Sequence, residues 1–438
     1  MKTPLIIYWF RRDLRLHDNR ALFEALQNGC PVLPLFIFDT DILDKLPDQR
    51  DKRVGFIYHA ISKLQDELVK MGSSLLVLHG KPLDIFQQLQ HQYAISAVYA
   101  NHDYEPDAIK RDSAISDLLK SHNIRFETYK DQVIFEKAEV LKPDGTPYTV
   151  FTPYSKRWKQ QLTEEMVKSF PSQDYLMHLY KTNPFHFPTL TEIGFADAGD
   201  TFQPARIDEN KIRLYHETRD FPSLNGTSGL SVHLRFGTVS IRALVQIALQ
   251  LNESWLNELI WREFFMMILY HFPKVVNASF KEQYDRIVWR NNEDEFHRWC
   301  TGNTGYLIVD AGMRELNATG YMHNRVRMIV ASFLTKHLLI DWRWGEAYFA
   351  EKLLDYELSS NNGNWQWSAG CGCDAAPYFR IFNPAEQTKK FDPQHVYINK
   401  WVENIHEKDY PEPVVEHQFA RERVLQVFKM ALNNDKIN

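Results

Sequence analysis

Short apolar runs alternate with helical patterns over the first 130 residues, and this alternation restricts the fold more than any other feature of the chain. The apolar runs cover residues 4–10, 32–38, 75–79, 95–100 and 124–128. Runs that are this short and continuous are typical of strands buried on both faces. Residues 53–71 and 106–122 lie between runs and have apolar side chains at the three- and four-residue spacing of a helix. The sequence therefore predicts an α/β domain over residues 1–130, built on a doubly wound parallel sheet.

The rest of the chain divides into two parts. Residues 131–202 contain many prolines and little periodicity, which predicts a long connection at the surface. We expect the basic and aromatic stretch at 154–159 to be a solvated face. Residues 203–438 have a helical pattern, so the fold class is α/β plus all-α.

Composition argues against several classes of protein. The net charge of −5 does not suit a uniformly basic nucleic-acid coat, although it allows a local basic patch. No apolar run approaches a membrane span and the N-terminus lacks the pattern of a signal peptide, so we expect a cytoplasmic protein. The four cysteines are too few and scattered for a disulfide framework, and Cys371 and Cys373 lack companions at metal-ligand spacing. We expect no metal site.

Indole and amide side chains are concentrated in residues 355–384. Asn361, Trp365 and Trp367 lie there, and nine of the eleven tryptophans lie from Trp255 onward. Glycines and a proline interrupt the periodicity, which predicts a loop between helices. Loops that hold aromatic and amide groups commonly line a site.

Two helical segments carry mixed polar faces. In residues 255–265, Glu258, Trp261 and Arg262 share one face, which indicates the lining of a cavity, although a helical tryptophan is more often core. In residues 321–334, an apolar stripe lies beside a second face. That second face carries Asn324, Arg327 and Met328. Asparagine offers a donor and an acceptor, which suits the edge of a base, yet packing within the protein is the ordinary explanation of such a face.

Residues 226–231, Gly-Thr-Ser-Gly-Leu-Ser, precede another helical segment. Hydroxyls and free N–H groups at a helix start can bind phosphate, but a capped helix without a ligand explains the pattern as well. Residues 9–19, WFRRDLRLHDN, follow the first apolar run and can be a charged turn capped by Asp18 or Asn19.

Taken together, these motifs resemble the photolyase/cryptochrome family over nearly the whole chain. The likeness is strongest in GTSGLS, ELIWREF and MHNRVRM and in the region from Asp355 to Arg380. It implies an N-terminal antenna domain, a linker and a helical domain that binds FAD.

The resemblance implies roles for individual residues. Asn361 would face flavin N5, where an amide can change from acceptor to donor, and Glu357 stands where many members have aspartate. Trp365 would be the electron-relay indole nearest the flavin, followed by Trp342 and Trp289. The implied contacts to FAD are Tyr215, Thr227, Ser228, Leu230, Ser231, Trp255, Arg262, Arg327, Asp355, Glu357 and Asn361.

The same resemblance implies a lesion pocket and a grip on the DNA backbone. Glu258 and Asn324 would hydrogen-bond a pyrimidine, while Trp261, Met328 and Trp367 would pack against it. Arg219, Arg325 and Arg380 would bind the phosphates around a flipped lesion.

The implied function is light-dependent splitting of cyclobutane pyrimidine dimers in UV-damaged DNA, as in the class I enzymes. One alternative is a cryptochrome-type receptor that signals to a protein partner, although no obligate protein partner is expected. Another is repair of the (6-4) photoproduct. Members that repair this lesion have a second histidine at the position of Asn324, which argues against this alternative. A DASH-like enzyme fits less well, because Trp365-Gln366-Trp367 keeps the second indole.

The resemblance also leaves room for a second, antenna chromophore, with 8-hydroxydeazaflavin, another flavin or folate as candidates and an empty site as the alternative. Folate-binding relatives hold the pterin with a glutamate soon after the fourth strand. Ala108 falls at that point here, which disfavours methenyltetrahydrofolate.

Overall fold

The computed structural model describes residues 3–199, 202–403 and 410–433. Its strands are β1 (Pro4–Phe10), β2 (Val32–Asp39), β3 (Leu76–Gly80), β4 (Ala94–Asn101) and β5 (Arg125–Tyr129). Its helices up to residue 251 are α1 (Arg20–Leu26), α2 (Thr40–Leu43), α3 (Lys52–Lys70), α4 (Pro82–Gln92), α5 (Pro106–Ser121), α6 (Phe151–Gln161), α7 (Glu209–Arg213), α8 (Tyr215–Thr218), α9 (Ser231–Phe236) and α10 (Ile241–Leu251). The later helices are α11 (Glu253–His271), α12 (Glu293–Cys300), α13 (Leu307–Thr319), α14 (Asn324–Ser332), α15 (Trp342–Lys352), α16 (Leu358–Ala369), α17 (Pro384–Phe391), α18 (Val396–Trp401) and α19 (His417–Asn433).

The five strands form one parallel sheet in the order β3-β2-β1-β4-β5. This confirms the predicted α/β fold. Every residue of β2 is buried, and in β1 only Pro4 is exposed, as continuous apolar runs require. Helices α3 and α5 match the predicted helical segments to within one residue at each end.

By their contacts, the residues form two compact units. Unit 1 comprises Met1–Glu136, Gln161–Ile207 and Gly229–Gln250, and unit 2 comprises Lys137–Gln160, Asp208–Ser228 and Leu251–Asn438. The expected boundaries, 1–130, 131–202 and 203–438, follow composition along the chain, whereas these units are each discontinuous. Within the expected connection, 161–202 packs in unit 1 and 137–160 in unit 2.

The stretch at 154–159 is only partly the solvated face that we predicted. It lies in α6, where Tyr154 and Trp158 are buried and Lys156 and Arg157 are exposed. The four-residue spacing places both aromatic rings on the same face of the helix. Trp158 Nε1 donates a 2.6 Å hydrogen bond to a carboxylate oxygen of the buried Glu263 in α11.

The charged turn after β1 is the polar core of unit 1. Asn19 caps α1 through a hydrogen bond from Leu22 N, which confirms the predicted cap. Asp131 is buried between two guanidinium groups, accepting from Arg15 at 2.6 Å and from Arg242 at 2.7 Å. These cations hold the pKa of Asp131 below its ordinary value, although burial opposes them.

The prediction of a loop across residues 355–384 is wrong for its central part, which is helix α16. Gly363 does not break the helix. A Cβ at that position would overlap the ring of Phe265 in α11, so the glycine permits close packing of two helices. The helix ends at Gly370, whose φ of 91° suits a left-handed cap.

Helix α14 begins at Asn324, capped by His323, rather than at Tyr321, and it continues into a π-helical turn, Phe333–His337.

In the part of the chain that the structure describes, no helix is long and apolar enough to cross a membrane. Within those same residues, no three His, Cys, Asp or Glu side chains are grouped to hold a metal ion.

Candidate functional site

One cavity of unit 2 brings together many of the predicted site residues. It has a volume of about 580 Å³, including the open space at its mouth, and lies mainly between α14, the end of α15 and α16. The predicted residues in its lining are Asn324, Arg327, Met328, Asp355, Glu357, Asn361, Trp365 and Trp367. Their mixed amide, charged and indole character is that of a ligand site rather than of an apolar core.

A half-buried ion pair forms the charged part of this lining. Arg327 Nη2 donates to both carboxylate oxygens of Asp355, at 3.1 and 2.9 Å. Arg327 Nε donates to the carbonyl oxygen of Met322 at 2.8 Å, which fixes the guanidinium plane. Burial alone would lower the pKa of Arg327, but the carboxylate of Asp355 beside it raises that pKa above its ordinary value.

The amide of Asn361 is held from behind by Glu346 of α15. Asn361 Nδ2 donates to the Glu346 carbonyl oxygen at 3.0 Å and to its Oε1 at 2.9 Å. These bonds engage the amide nitrogen, so the carbonyl oxygen of Asn361 is the acceptor that it offers to a ligand. Burial raises the pKa of Glu346. Sequence reasoning missed this residue, because a glutamate on an otherwise ordinary helix carries no signal of its partner.

Glu357 is buried at the start of α16, where it accepts from Ser359 Oγ at 3.1 Å and Ser360 Oγ at 3.3 Å. Its carboxylate therefore lies in the cavity wall with neighbouring hydroxyls around it.

The three relay tryptophans differ in exposure. Trp365 and Trp342 are 2% and 1% exposed, whereas Trp289 is half-buried. Trp365 packs against Phe349, with ring centroids 5.0 Å apart, and against Trp299 at 6.0 Å. Trp299 was not among the predicted residues. Trp289 is therefore the most exposed of the three indoles, while Trp365 and Trp342 are equally buried.

Glu258 and Trp261 of α11 lie outside the lining of this cavity. Arg219 Nη1 donates to Glu258 Oε1 at 2.6 Å. Burial raises the pKa of Glu258, and Arg219 opposes that rise. Trp261 stacks on Phe151, with centroids 3.7 Å apart and planes inclined by 4°.

The other predicted residues of α11 and the predicted phosphate-binding arginines differ in burial and in their partners. Trp255 is buried and Arg262 is half-buried. Arg325 Nη2 donates to Asp220 Oδ1 at 2.6 Å, and its guanidinium lies over Phe391. Arg380 is exposed and lies near the ring of Phe382. A phosphate that binds Arg219 or Arg325 would compete with a carboxylate.

The predicted phosphate segment is divided between the two units. Thr227 and Ser228 belong to unit 2, and Leu230 and Ser231 belong to unit 1, where Ser231 begins α9. Thr227 Oγ1 lies 3.4 Å from the hydroxyl of Tyr321. Elsewhere in unit 2, Tyr215 lies beneath the guanidinium of Arg219, and burial raises the pKa of its hydroxyl.

Comparison with known proteins gives one consistent family. The family model described as "DNA photolyase" matches residues 6–172, and the one described as "FAD binding domain of DNA photolyase" matches residues 255–407. The deoxyribodipyrimidine photo-lyase of Synechococcus sp. is 38% identical, over 97% of this chain and 96% of its own length.

Solved structures agree with this result. A bacterial class III photolyase from Agrobacterium tumefaciens has a TM-score of 0.86 and 32% identity, covering 98% of each chain. An archaeal photolyase from Sulfolobus tokodaii, solved with two FAD molecules, has a TM-score of 0.82 and 34% identity, covering 97% of this chain and 99% of its own. The chain belongs to the DNA photolyase family.

Proposed function

We propose that this protein is a light-driven DNA photolyase that splits cyclobutane pyrimidine dimers, with FAD as its redox cofactor. The observation that carries the proposal is the shared lining of one cavity. Asn324 and Met328 of α14, expected to contact the lesion, lie in it together with two residues of α16: Asn361, expected to contact the flavin, and Trp365, expected to be the relay indole nearest to it. Family membership supports the same assignment.

The residues present fit a flavin. An isoalloxazine ring needs a flat pocket, an amide near its redox-active edge and fixed charges at its polar edge. Trp365, Asn361 and the Arg327–Asp355 pair provide side chains of these kinds in one lining. When bound, reduced and excited by light, FAD supplies the electron that opens the cyclobutane ring and recovers it afterwards.

The protein's own part is to bind, orient and exclude water, because the reaction needs no general base. Asn324 would hydrogen-bond the pyrimidine that it faces, and Trp367 would stack on it, at about 1–3 kcal/mol per stacked base. Glu258 would take part once its bond to Arg219 is exchanged for one to the lesion. Arg219, Arg325 and Arg380 would hold backbone phosphates without reading sequence.

The test is to illuminate the reduced holoenzyme with a duplex that contains a single thymine dimer and to follow dimer loss by chromatography. The dark reaction and an undamaged duplex are the controls. We expect dimer loss only in the light. Unrepaired dimers in a sample with bound, reduced FAD would overturn the proposal in favour of a receptor. Repair of a (6-4) duplex in place of the dimer would assign the other lesion.

We also propose UV-damaged DNA as the partner, the cytoplasm as the compartment and a second chromophore as a light-harvesting group. Ala108, at the position where folate-binding relatives have a glutamate, is buried in the first turn of α5 and offers no carboxylate to a pterin. This favours 8-hydroxydeazaflavin or a second flavin over folate. Extraction of the purified holoenzyme followed by mass spectrometry would identify the chromophore, and recovery of folate would contradict this preference.

A further inference from the structure

Phe151, the first residue of α6, covers one face of Trp261 in unit 2. The two rings are nearly parallel, with centroids 3.7 Å apart and planes inclined by 4°. At this distance the rings are in van der Waals contact across the face. The Phe151 ring therefore fixes the plane of an indole that the family resemblance places against the pyrimidine in the lesion pocket.

This stack is held by its surroundings. Aromatic pairs favour offset or edge-to-face arrangements over full overlap. Phe264 meets both rings edge-on, at 5.9 Å from Phe151 and 5.5 Å from Trp261, with planes inclined by 80° and 83°. Two edge-on contacts from one phenyl ring hold the two stacked rings in register.

Asp374 anchors the other end of the arrangement. The backbone N–H of Phe151 donates to Asp374 Oδ2 at 3.0 Å. Phe151 stands at the N-terminus of α6, where the helix leaves N–H groups without partners in the helix, so a carboxylate is well suited to this place. Asp374 adopts φ of 47°, a left-handed conformation that turns the chain sharply towards α6.

The segment that carries Asp374 packs tightly on the helix that carries Trp367. Gly370 N donates to the carbonyl oxygen of Trp367 at 3.2 Å, and Gly372 N donates to that of Gln366 at 3.0 Å. A Cβ at Gly372 would lie 3.1 Å from Trp367 N, so a larger residue at this position would require its neighbours to shift. A continuous path of contacts thus runs from Trp367 through Asp374 and Phe151 to Trp261.

We propose that Phe151 and Asp374 are positioning residues that set the plane of Trp261 relative to Trp367, and that they thereby determine selectivity for a flipped dimer over undamaged DNA. The inference rests on the proposed function. It also gives the Cys371-Gly372-Cys373 sequence a purpose, as the short, buried connection between Trp367 and Asp374.

The experiment compares the affinities of the holoenzyme for one duplex with and without a dimer. Phe151→Leu removes the ring, and we expect roughly tenfold weaker binding of the dimer duplex, at the upper end of what one aromatic pair contributes. Affinity for the undamaged duplex, flavin content and light-driven flavin reduction should stay as in wild type. Phe151→Tyr keeps the stack and should restore selectivity. Asp374→Ala should lose part of the selectivity for the dimer duplex. Asp374→Asn keeps an acceptor oxygen and should regain that selectivity.

Tyr154→Leu is the matched control. Tyr154 lies one turn along α6 and packs against Phe264 but not against Trp261, so its loss perturbs the same helix and the packing of Phe264 while the Phe151 ring stays in place. An unchanged dimer preference in Phe151→Leu, or an equal loss in Tyr154→Leu, would overturn the inference. A wild-type holoenzyme without dimer preference would instead count against the proposed function, so the two failures are distinguishable.

Discussion

Trp342 is the residue at which the electron relay can be separated from repair. It is buried at the start of α15, and within the described part of the chain its indole N–H has no hydrogen-bond partner. Arg343 lies 4.7 Å from the ring centroid, so the ring has a cation as its neighbour. Trp342→Phe should slow light-driven reduction of oxidised flavin by at least about tenfold, because phenylalanine gives up an electron far less readily. Absorbance of the oxidised flavin under continuous light measures this rate.

The same variant should repair dimers normally once its flavin has been reduced chemically, because the repair electron does not pass through the relay. Trp344→Phe is the matched control: it lies on the same helix, is half-buried and packs on Phe296. It should leave both activities unchanged. Equal loss of photoreduction and repair in Trp342→Phe would show that the indole is structural.

Arg327 and Asp355 support a second prediction about single residues. The Asp355 side chain is 6% exposed, so removing it leaves a guanidinium without its buried counter-charge. Breaking a fully buried pair costs about 3–5 kcal/mol, and the partial exposure of Arg327 makes the cost smaller here. We expect Asp355→Ala to lower both the melting temperature and the ratio of flavin to protein absorbance. Asp355→Ala combined with Arg327→Met should recover stability without recovering flavin. Wild-type flavin content in either variant would contradict a role for the pair in cofactor binding.

At the scale of elements, Lys336 connects its own π-helical turn with helices α16 and α19. It lies in the π-helical turn after α14, donates to the carbonyl oxygen of Ala369 at the end of α16 at 2.7 Å, and lies 4.0 Å from the ring centroid of Phe428 in α19. Burial lowers the pKa of Lys336 to about 7, and the nearby Cys371 opposes this only partly. Near neutral pH, the unfolded chain therefore binds a proton that the folded chain releases.

The sign of the resulting pH dependence follows from this difference. Because the unfolded state holds more protons between about pH 7 and the ordinary lysine pKa of 10.5, the free energy of unfolding should rise with pH across that window. Buried thiols and phenols oppose this above about pH 8.5. Denaturant unfolding measured between pH 7 and that limit gives the free energy of unfolding at each pH. This free energy should rise less steeply with pH in Lys336→Met than in wild type. Parallel profiles for the two proteins would contradict the assignment.

Helix α16 shows what sequence patterns could and could not predict. Strands β1 and β2 were predictable because a run buried on both faces is apolar at nearly every position, whereas the edge strand β5 carries Arg125 and Glu127 and contains no buried residue. The buried face of α16 is amide instead: Asn362 and Gln366 donate to the carbonyl oxygen of Val275, each at 2.9 Å, and Gln366 accepts from Phe280 N. These partners are distant in sequence, so the helix has no apolar periodicity to recognise. Glu346 and Phe151 were missed for the same reason, because each acts through a residue brought near only by folding.

At the scale of the whole molecule, the discontinuity of unit 1 has a consequence for folding. Arg242, on α10, donates to Asp131 at 2.7 Å and to Asp18 at 2.8 Å, and all three side chains are buried. A buried carboxylate that loses its cation is strongly destabilising. The sheet with its first five helices therefore depends on a segment that begins about a hundred residues after the last strand.

A fragment of residues 1–136 should consequently fail to fold cooperatively, although it contains all five strands. A fragment of residues 1–250 includes every segment of unit 1 and should show a sigmoidal denaturant transition by circular dichroism. In the full-length chain, Arg242→Met should lower stability by roughly 3–5 kcal/mol. A cooperative transition in the 1–136 fragment would show that the sheet is stable without Arg242.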